Sequence, residues 1–286
     1  MTITLLLSLV LVGNAFACDP MGKSGIVEEN NMWIGPELSG ISGIDKAEFN
    51  RVIDRVEKIY APIVKKKWAS LKVVRKWSDG TVNAYAQREF FTWKVSMFGG
   101  LARHSTVTSD GFALVLCHEM GHHLGGAPKL KALIFPLWAS NEGQADYFGN
   151  LKCMRKYMEA DDNVTIVSKM KIDPIARASC NGQYADAEEA AICMRSAMAG
   201  QSLSNLFQAL RKLPSAPKFD TPDAGKVAKT NDKHPAPQCR MDTYYAASLC
   251  TQDHYKDVSN ADPNVATCSR KRGHKKGLRP LCWYKP

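Results

Sequence analysis

Apolar residues recur along this chain with two different periods, and these periods predict a mixture of helices and short strands. Residues 45–67 carry apolar side chains at intervals of three and four positions, which predicts an amphipathic helix. Residues 71–77, 81–86 and 90–98 are typical of short strands, with a Ser-Asp-Gly turn at 78–80 between the first two. We expect these strands to form one small sheet.

Another segment is apolar on nearly every side, which predicts a helix buried at the centre of the fold. It follows Thr108-Ser109-Asp110, whose short polar side chains are typical of a helix N-cap, and it ends at Gly125-Gly126. Further helices are predicted over 141–158 and 186–210, with a polar stretch between them. The predicted fold class is therefore α+β, mostly helical, with a small mixed β-sheet and a central helix.

Residues 1–17 are predicted to be a signal peptide. Ile3 to Val12 is an apolar run too short to span a bilayer, and the small-x-small sequence at 15–17 provides a cleavage site before Cys18. Lipidation of Cys18 is the alternative, although residues 15–17 match a Leu-containing lipobox poorly. We expect an extracytoplasmic protein, periplasmic or secreted, in which residues 18–43 form an extended arm.

The nine cysteines agree with export to an oxidising compartment, where disulfides form. Because the number is odd, at least one thiol is expected to stay free or to pair between chains. Cys117 is the predicted free thiol, because a small buried thiol is an ordinary core residue in an apolar helix. Residues 44–249 are predicted to form the main domain, and residues 250–286 a Cys-rich, basic C-terminal appendage.

The formal net charge is +10, and part of it is concentrated in a basic run at 270–276. Such a run is usually solvated surface, and it also suits association with an anionic envelope surface. Because aromatic residues are not interleaved with it, we expect no nucleic-acid partner. The patterns leave the oligomeric state open.

The strongest chemical signal lies in the central helix, where residues 118–122 read His-Glu-Met-Gly-His. Positions 118 and 122 differ by about 40° around a helix of 3.6 residues per turn, so His118 and His122 can face one metal ion. Glu119 lies about 100° further round, beside that metal. The spacing is the HExxH motif of zinc enzymes.

A catalytic zinc site needs a third protein ligand, and Glu142 on the following helix is the candidate. Asp146 lies one turn beyond Glu142, where its carboxylate can accept the spare ring N–H of a ligating histidine. The metzincin alternative fails because Pro128 occupies the place of that family's third histidine. His123 is off the ligand face and is expected to pack or to be solvated.

These residues, with a later His-Pro loop, resemble the HtpX-like and CAAX-prenyl-protease-like gluzincin zinc metallopeptidases. The matching elements are the HExxH helix, the Glu-x-x-Ala-Asp sequence at 142–146, a His-Pro pair with an arginine six residues later at His234 and Arg240, and an Asn-Ala element at Asn83. The resemblance covers roughly residues 45 to 245, and it is specific at the metal site. The chain departs from the family in its N-terminal segment, its Cys-rich tail and its lack of apolar segments long enough to span a membrane.

The resemblance implies a zincin-type fold and an exported zinc endopeptidase. Glu119 would be the general base toward a zinc-activated water, and His234 and Arg240, with Asn83, would stabilise the developing oxyanion. His234 swinging onto the zinc to hold the enzyme shut is the alternative for that residue. We further expect a disulfide at Cys239 to anchor the His-Pro loop.

A protein or peptide substrate would add as a further strand to an unpaired sheet edge, predicted near Trp93 to Phe98. Two other functions stay open. The chain would be a catalytically idle or latent zinc protein serving as an assembly or chaperone-like factor in the envelope, or a zinc hydrolase of a non-peptide amide. Retention of Glu119 argues against the idle protein, because a structural zinc site needs no base.

Overall fold

The computed structural model describes residues 25–38, 44–132 and 135–286, together with the backbone of the short strand β1 (Ala15–Phe16). The rest of the predicted signal peptide and Cys18 lie outside the described residues. The predicted domain boundaries stay predictions.

Helices and short strands follow one another in the order α1 (Lys46–Lys65), β2 (Ser70–Lys76), β3 (Ala84–Glu89), β4 (Thr92–Phe98), α2 (Gly99–Arg103), α3 (Ser109–Leu124), β5 (Lys129–Ala132), β6 (Phe135–Ser140), α4 (Glu142–Phe148), α5 (Arg155–Met158), α6 (Asn163–Ser168), α7 (Pro174–Asn181), α8 (Ala187–Leu210) and α9 (Pro237–Ser248). A π-helical turn, Gly149–Met154, joins α4 to α5, and single 3-10 turns lie at Pro36–Leu38 and Arg270–Arg272. The predicted α+β class is confirmed.

Helix α1 begins and packs as its sequence predicts. The Asp45 side chain accepts a hydrogen bond from the backbone N–H of Glu48 at 2.8 Å and so caps the first turn. Its apolar stripe is fully buried and faces the main hydrophobic core; the stripe consists of Phe49, Val52, Ile53 and Val56. Residues 163–168 and 174–181, within the stretch predicted only as polar, form the short helices α6 and α7.

The main sheet has the strand order β1-β3-β4-β2 and is mixed, because β2 runs parallel to β4 while β3 runs antiparallel to it. The prediction of a free edge near Trp93 to Phe98 is therefore wrong. If β2, β3 and β4 paired in sequence order, β4 would lie at the edge of the sheet. Here β2 pairs with β4, so β4 has a neighbour on both sides. The outer strands are β2 and β1, and β1 pairs with β3 at Gln87 and Arg88.

The turn between β3 and β4 also differs from its prediction. The predicted strand over residues 90–98 includes Phe90 and Phe91. They instead form the hairpin turn, where Phe90 has a φ of +51° and is 82% exposed. Strand β4 consequently begins at Thr92.

Helix α3 occupies the centre of the molecule. Thr108 caps it by accepting a hydrogen bond from the backbone N–H of Gly111 at 3.1 Å, and every residue from Gly111 to His123 is buried. The helix packs against α1, α4 and α8 and against β3 and β6. A helix covered on all sides keeps its side chains in fixed positions, which suits a metal site.

Four disulfides join eight of the nine cysteines, and they indicate an oxidising, extracytoplasmic environment. The prediction that Cys117 is free is wrong, because Cys117 pairs with Cys153. Helix α3 lies directly against the π-helical turn, so Cys117 meets a partner that is 36 residues away in sequence. The other bridges are Cys180–Cys193, Cys239–Cys282 and Cys250–Cys268.

The C-terminal segment packs against α4 and α9 rather than standing apart from them. Trp283 is fully buried and donates a hydrogen bond from its Nε1–H to Thr243 Oγ1 at 2.9 Å. The buried Arg279 guanidinium donates to Gln144 Oε1 at 2.7 Å. These contacts buttress the helix that begins at Glu142. Within the described part of the chain, no helix has both the length and the apolar character needed to cross a bilayer.

Candidate metal centre

The two halves of the site meet where the backbones of α3 and α4 touch. A Cβ atom added at Gly121 would lie 2.7 Å from the carbonyl oxygen of Ala145, so this crossing accepts only a glycine on α3. Asn141 begins α4 by accepting a hydrogen bond from the backbone N–H of Gln144 at 3.0 Å. The cap fixes Glu142 as the first residue of α4 and directs it toward α3.

Three side chains, His118, His122 and Glu142, converge at this crossing. His118 Nε2 lies 3.1 Å from His122 Nε2 and 3.3 Å from Glu142 Oε2, and His122 Nε2 lies 3.8 Å from Glu142 Oε1. Zinc bonds of about 2.0–2.2 Å in a tetrahedron separate neighbouring ligand atoms by roughly 3.3–3.6 Å. The three ligand atoms therefore form a group that could hold a metal ion.

The hydrogen bonding of Glu142 agrees with a metal ligand. The residue is buried, and its polar neighbours are imidazole nitrogens: His118 Nε2 and His234 Nε2 lie 3.3 and 3.1 Å from Oε2, without the geometry of a good hydrogen bond. A buried carboxylate without good hydrogen bonds is costly unless a cation neutralises it. A second grouping, Asp223 with Cys239 and Cys282, is not a metal site because its two sulfurs form a disulfide.

Both histidines are held in the tautomer that carries its proton on Nδ1, so that Nε2 is the ring nitrogen able to bind a metal. The Nδ1–H of His122 donates to the carbonyl oxygen of Ser140 at 2.9 Å, and the Nδ1–H of His118 donates to Asp146 Oδ1 at 2.7 Å. A hydrogen bond to one ring nitrogen fixes the tautomer and orientation of a ligating imidazole.

Asp146 is the centre of a buried polar network. The Arg240 guanidinium donates from Nε to Oδ2 and from Nη2 to Oδ1, both at 2.8 Å, and the Tyr244 hydroxyl donates to Oδ1 at 2.5 Å. Arg240 also stacks over the Phe207 ring at 4.1 Å. Tyr244 did not figure in the sequence prediction, although it lies one helical turn after Arg240 on α9. Arg240 thus acts mainly through Asp146, and so through His118.

The charges of the protein shift the pKa values in this site strongly. Burial opposes the charge on His118, but the carboxylates of Asp146 and Glu142 outweigh it and raise its pKa to about 9. Burial lowers the pKa of His122 to about 4. Burial alone would raise the pKa of Asp146, yet Arg240 and His118 hold it below its usual range. The site therefore keeps a permanent negative charge behind His118.

Glu119 lies beside the triad in a water-poor position. It is fully buried, and neither carboxylate oxygen has a hydrogen-bond partner among the described residues. Burial raises its pKa to about 8, a shift that the positive charge of His118 only partly offsets. A carboxyl group with an elevated pKa and no bound partner is suited to exchanging a proton.

His234 comes to the site from the loop before α9. Its Nε2 lies 3.1 Å from Glu142 Oε2, but it is not part of the close group formed by the three ligand atoms. The Cys239–Cys282 bridge fixes the first turn of α9 shortly after this loop. His234 therefore stands next to the metal group without completing it.

No family model, curated protein or solved structure matches this chain.

Asn83 lies next to the site but contacts no residue of the triad. Its side chain accepts a hydrogen bond from the Val27 N–H at 3.3 Å and donates to the Val27 carbonyl at 3.2 Å. His234 Nε2–H donates to the carbonyl of Gly25 at 2.8 Å, and Arg240 Nη1 donates to the carbonyl of Ile26 at 2.6 Å. The three outer residues predicted for the site all contact one segment, residues 25–27, which the sequence pattern did not single out.

His123 is excluded from the metal group by its direction on α3. Its ring stacks between Trp93 and Trp138, with ring centroids 5.2 and 4.8 Å away. The Nε of Arg88 donates to its Nδ1 at 3.3 Å. His123 is a packing residue, as its displacement from the ligand face predicts.

Proposed function

We propose that this chain is an exported zinc-dependent endopeptidase of the gluzincin type, with a zincin-like fold. The observation that carries the proposal is the buried Glu119 carboxylate, unpaired within the described chain, beside a group of two imidazoles and one carboxylate. A site that only held a metal would need no such group, whereas hydrolysis needs a base that exchanges a proton. The cysteine pairing supports export, to the periplasm or the medium, and lipid anchoring at Cys18 is the alternative.

The donor set favours zinc as the metal. Two imidazole nitrogens and one carboxylate oxygen are the ligands of one class of catalytic zinc sites, in which a fourth position stays open. Zinc bound by His118, His122 and Glu142 would polarise a peptide carbonyl and make water acidic enough to lose a proton near neutral pH.

The chain's own residues would then divide the work. Glu119 accepts the proton of the attacking water and delivers it to the nitrogen of the leaving amine. The Nε2–H of His234 donates to the carbonyl oxygen of the cleaved bond as that oxygen gains negative charge, an interaction commonly worth about 3 kcal/mol of barrier. Asp146, held by Arg240 and Tyr244, keeps the His118 ring in the orientation in which Nε2 faces the other ligand atoms.

The substrate would be a protein or peptide bound in an extended form. Zinc content and cleavage of denatured casein test the function in the Gly25→Val arm variant described below, with Glu119→Gln or the exposed control Glu37→Gln added to it. We expect all three proteins to bind zinc and only the protein with Glu119→Gln to lose cleavage, by at least about 100-fold. Equal cleavage with and without Glu119→Gln would refute the mechanism.

The idle zinc protein remains the second candidate, because the ligands have almost no exposure to solvent. Full zinc occupancy with no cleavage by wild type, or by the arm variant described below, would favour it. Cleavage of small amides but of no peptide would favour the non-peptide hydrolase. The exposed basic turn Arg270–Arg272 would be the contact with an anionic envelope surface.

A further inference from the structure

Residues 25–27, here called the arm segment, pass beside the metal centre as a bent stretch of chain, in which the Gly25 N–H donates to the carbonyl of Val27 at 3.2 Å. The Ile26 N–H donates to the carbonyl of Ala84, at the start of β3, at 3.0 Å. The carbonyls of Gly25 and Ile26 accept hydrogen bonds from His234 and Arg240, and the side chain of Asn83 bonds both polar groups of the Val27 backbone. All these bonds go to the main chain of the arm segment, so another peptide that adopts the same backbone conformation could make them.

The arm segment also closes the site. Ile26 and the two metal-binding histidines are 0% exposed, so a protein chain cannot reach the triad while the segment is in place. Catalysis therefore needs this part of the structure to open. The next residues are attached separately: Arg211 pairs with Glu28 at 2.9 Å, and Trp33 forms a β-bridge with Thr81.

Side-chain space within the arm segment differs sharply from one position to the next. A Cβ atom at Gly25 would lie 2.0 Å from the carbonyl oxygen of Ala84 and 2.3 Å from Asn83 Oδ1, so no side chain fits there. The neighbouring Ile26 side chain is enclosed in the main core. The position whose carbonyl faces His234 thus accepts only glycine in this register, and the next position accepts a β-branched aliphatic residue.

We propose that the arm segment occupies the groove that binds substrate, so that the enzyme is latent until the segment is displaced, and that the groove prefers glycine followed by a β-branched aliphatic residue. This inference rests on the proposed function for its catalytic part. Its binding part concerns only the peptide groove along β3, and that part can be tested without turnover.

The experiment uses the full chain with Gly25→Val. The added side chain has no room beside Ala84 and Asn83, so the arm segment can no longer occupy its place in the site. Gly35→Ala is the matched control, because the added Cβ would meet only the mobile carboxylate of Glu37. Thermal unfolding first establishes that each variant is folded. A fluorescent peptide with the sequence of residues 24–30, Ser-Gly-Ile-Val-Glu-Glu-Asn, is then titrated into each protein, and cleavage of the peptide and of casein is followed.

We expect Gly25→Val to bind the peptide at least about tenfold more tightly than wild type and Gly35→Ala, because the groove is no longer filled from within. Changing the glycine of the peptide to valine should abolish that gain. If Gly25→Val also cleaves casein faster and Glu119→Gln removes the cleavage, latency and the proposed function both stand.

The other outcomes separate the two proposals. Tight peptide binding by Gly25→Val without any cleavage leaves the groove assignment intact and overturns the endopeptidase. Equal peptide binding by wild type and a folded Gly25→Val variant overturns the groove assignment, whatever the cleavage rates. If Gly25→Val does not fold, Ile26→Ser replaces it under the same criteria.

A cavity of about 350 Å³ on another face of the molecule carries a second, independent inference. It lies between α1, the end of α3, the β5–β6 hairpin and residues 254–260, and it contains none of the three metal-binding residues. Its lining includes Arg88, Lys129, Lys152 and Lys156, together with Asp257, whose carboxylate pairs with Lys67 at 3.2 Å. No carboxylate of the described residues forms a salt bridge with any of these four cations.

The direct partners of these cations are neutral. Lys129 donates to the carbonyl of Trp138 at 2.7 Å and Lys152 to that of Asp253 at 2.5 Å, while Arg88 lies 4.1 Å from the Trp93 ring and 4.7 Å from the Trp138 ring. Burial lowers the pKa values of Lys129 and Lys152 to about 8, and the nearby carboxylates of Asp253 and Asp257 offset this only in part for Lys152. Gathering partly buried cations with so little counter-charge is unfavourable, and an anion in the cavity would relieve it.

We infer that this cavity binds a phosphate-type anion. Inorganic phosphate is the probe, titrated by calorimetry at constant ionic strength into wild type, a Lys129→Gln/Lys152→Gln double variant and a control double variant with two exposed lysines changed, Lys169→Gln/Lys171→Gln. We expect wild type and control to bind with the same affinity and the cavity variant to lose at least about tenfold. Absence of binding to wild type at millimolar phosphate, or equal binding to all three proteins, would overturn the inference.

Discussion

Replacing Arg240 by methionine should weaken the fold and the metal site together. Arg240 is 3% exposed and makes two hydrogen bonds to Asp146, which is completely buried and which supports His118. The substitution keeps much of the side-chain volume but leaves the Asp146 carboxylate with only two donors, Tyr244 and His118. Breaking a buried ion pair in this way costs about 3–5 kcal/mol.

The effect on the metal follows from the same geometry. Without Arg240, Asp146 is free to shift, and the His118 ring loses its fixed orientation. Loss of such a supporting contact typically weakens metal binding by about 10- to 100-fold. Urea unfolding at 25 °C gives the free energy of unfolding, and competition with a chelator of known affinity gives the zinc dissociation constant.

Arg195→Met is the matched control for this experiment. Arg195, on α8, is 5% exposed and forms ion pairs with Asp110 and Asp161, and none of these three residues belongs to the metal group. We expect a similar loss of stability in this variant, on the order of 3–5 kcal/mol, with unchanged zinc affinity. Equal zinc affinity in wild type and Arg240→Met, or a loss of stability below about 1 kcal/mol, would refute the role assigned to the Asp146 network.

Three further predictions concern the supports of the site. The Cys239→Ser/Cys282→Ser double variant opens a bridge that spans 43 residues, so we expect a loss of about 4 kcal/mol and slower turnover as the His234 loop loosens; unchanged melting temperature and turnover would contradict this. Gly143→Ala would place a Cβ 2.3 Å from the Trp283 ring and should cost about 1–3 kcal/mol, which Trp283→Phe should partly restore. Burial lowers the pKa of Lys152 to about 8, so the unfolded chain binds the proton more tightly and the stability of wild type rises with pH between about 8 and 10.5. Lys152→Met should therefore be more stable than wild type by about 2 kcal/mol at pH 7 in phosphate-free buffer, and unfolding measured against pH should show this difference shrinking toward pH 10.5.

The sequence was sufficient where local signals and helical spacing determine the structure. Thr108 caps α3 as predicted, α1 begins close to its predicted start, and the four-residue spacing of His118 and His122 puts both rings on one face of α3. Glu142 and Asp146 are predictable because one helical turn separates them and because a catalytic zinc site needs a third protein ligand, for which a carboxylate is suitable.

Contacts between distant segments were not predictable in the same way. The partner of Cys117 depends on α3 lying against the π-helical turn, which no local pattern encodes. The central place of β4 depends on a parallel pairing with β2, and the apolar pattern of a strand does not distinguish a central strand from an edge strand. The sequence predicts an arm over residues 18–43 but not which of its residues meet the site, because those contacts use backbone atoms and leave no trace in side-chain chemistry.

The bridge between Cys117 and Cys153 makes oxidation and metal uptake linked equilibria. Cys117 directly precedes His118, and the bridge ties α3 to the helical segment that continues from Glu142 and Asp146. If the bridge raises the zinc affinity by some factor, zinc must make the bridge harder to reduce by that same factor. A chain kept in a reducing compartment would hold zinc more loosely, and each step of maturation would favour the other once the chain is oxidised. Redox titration of this bridge with and without zinc would measure the coupling directly.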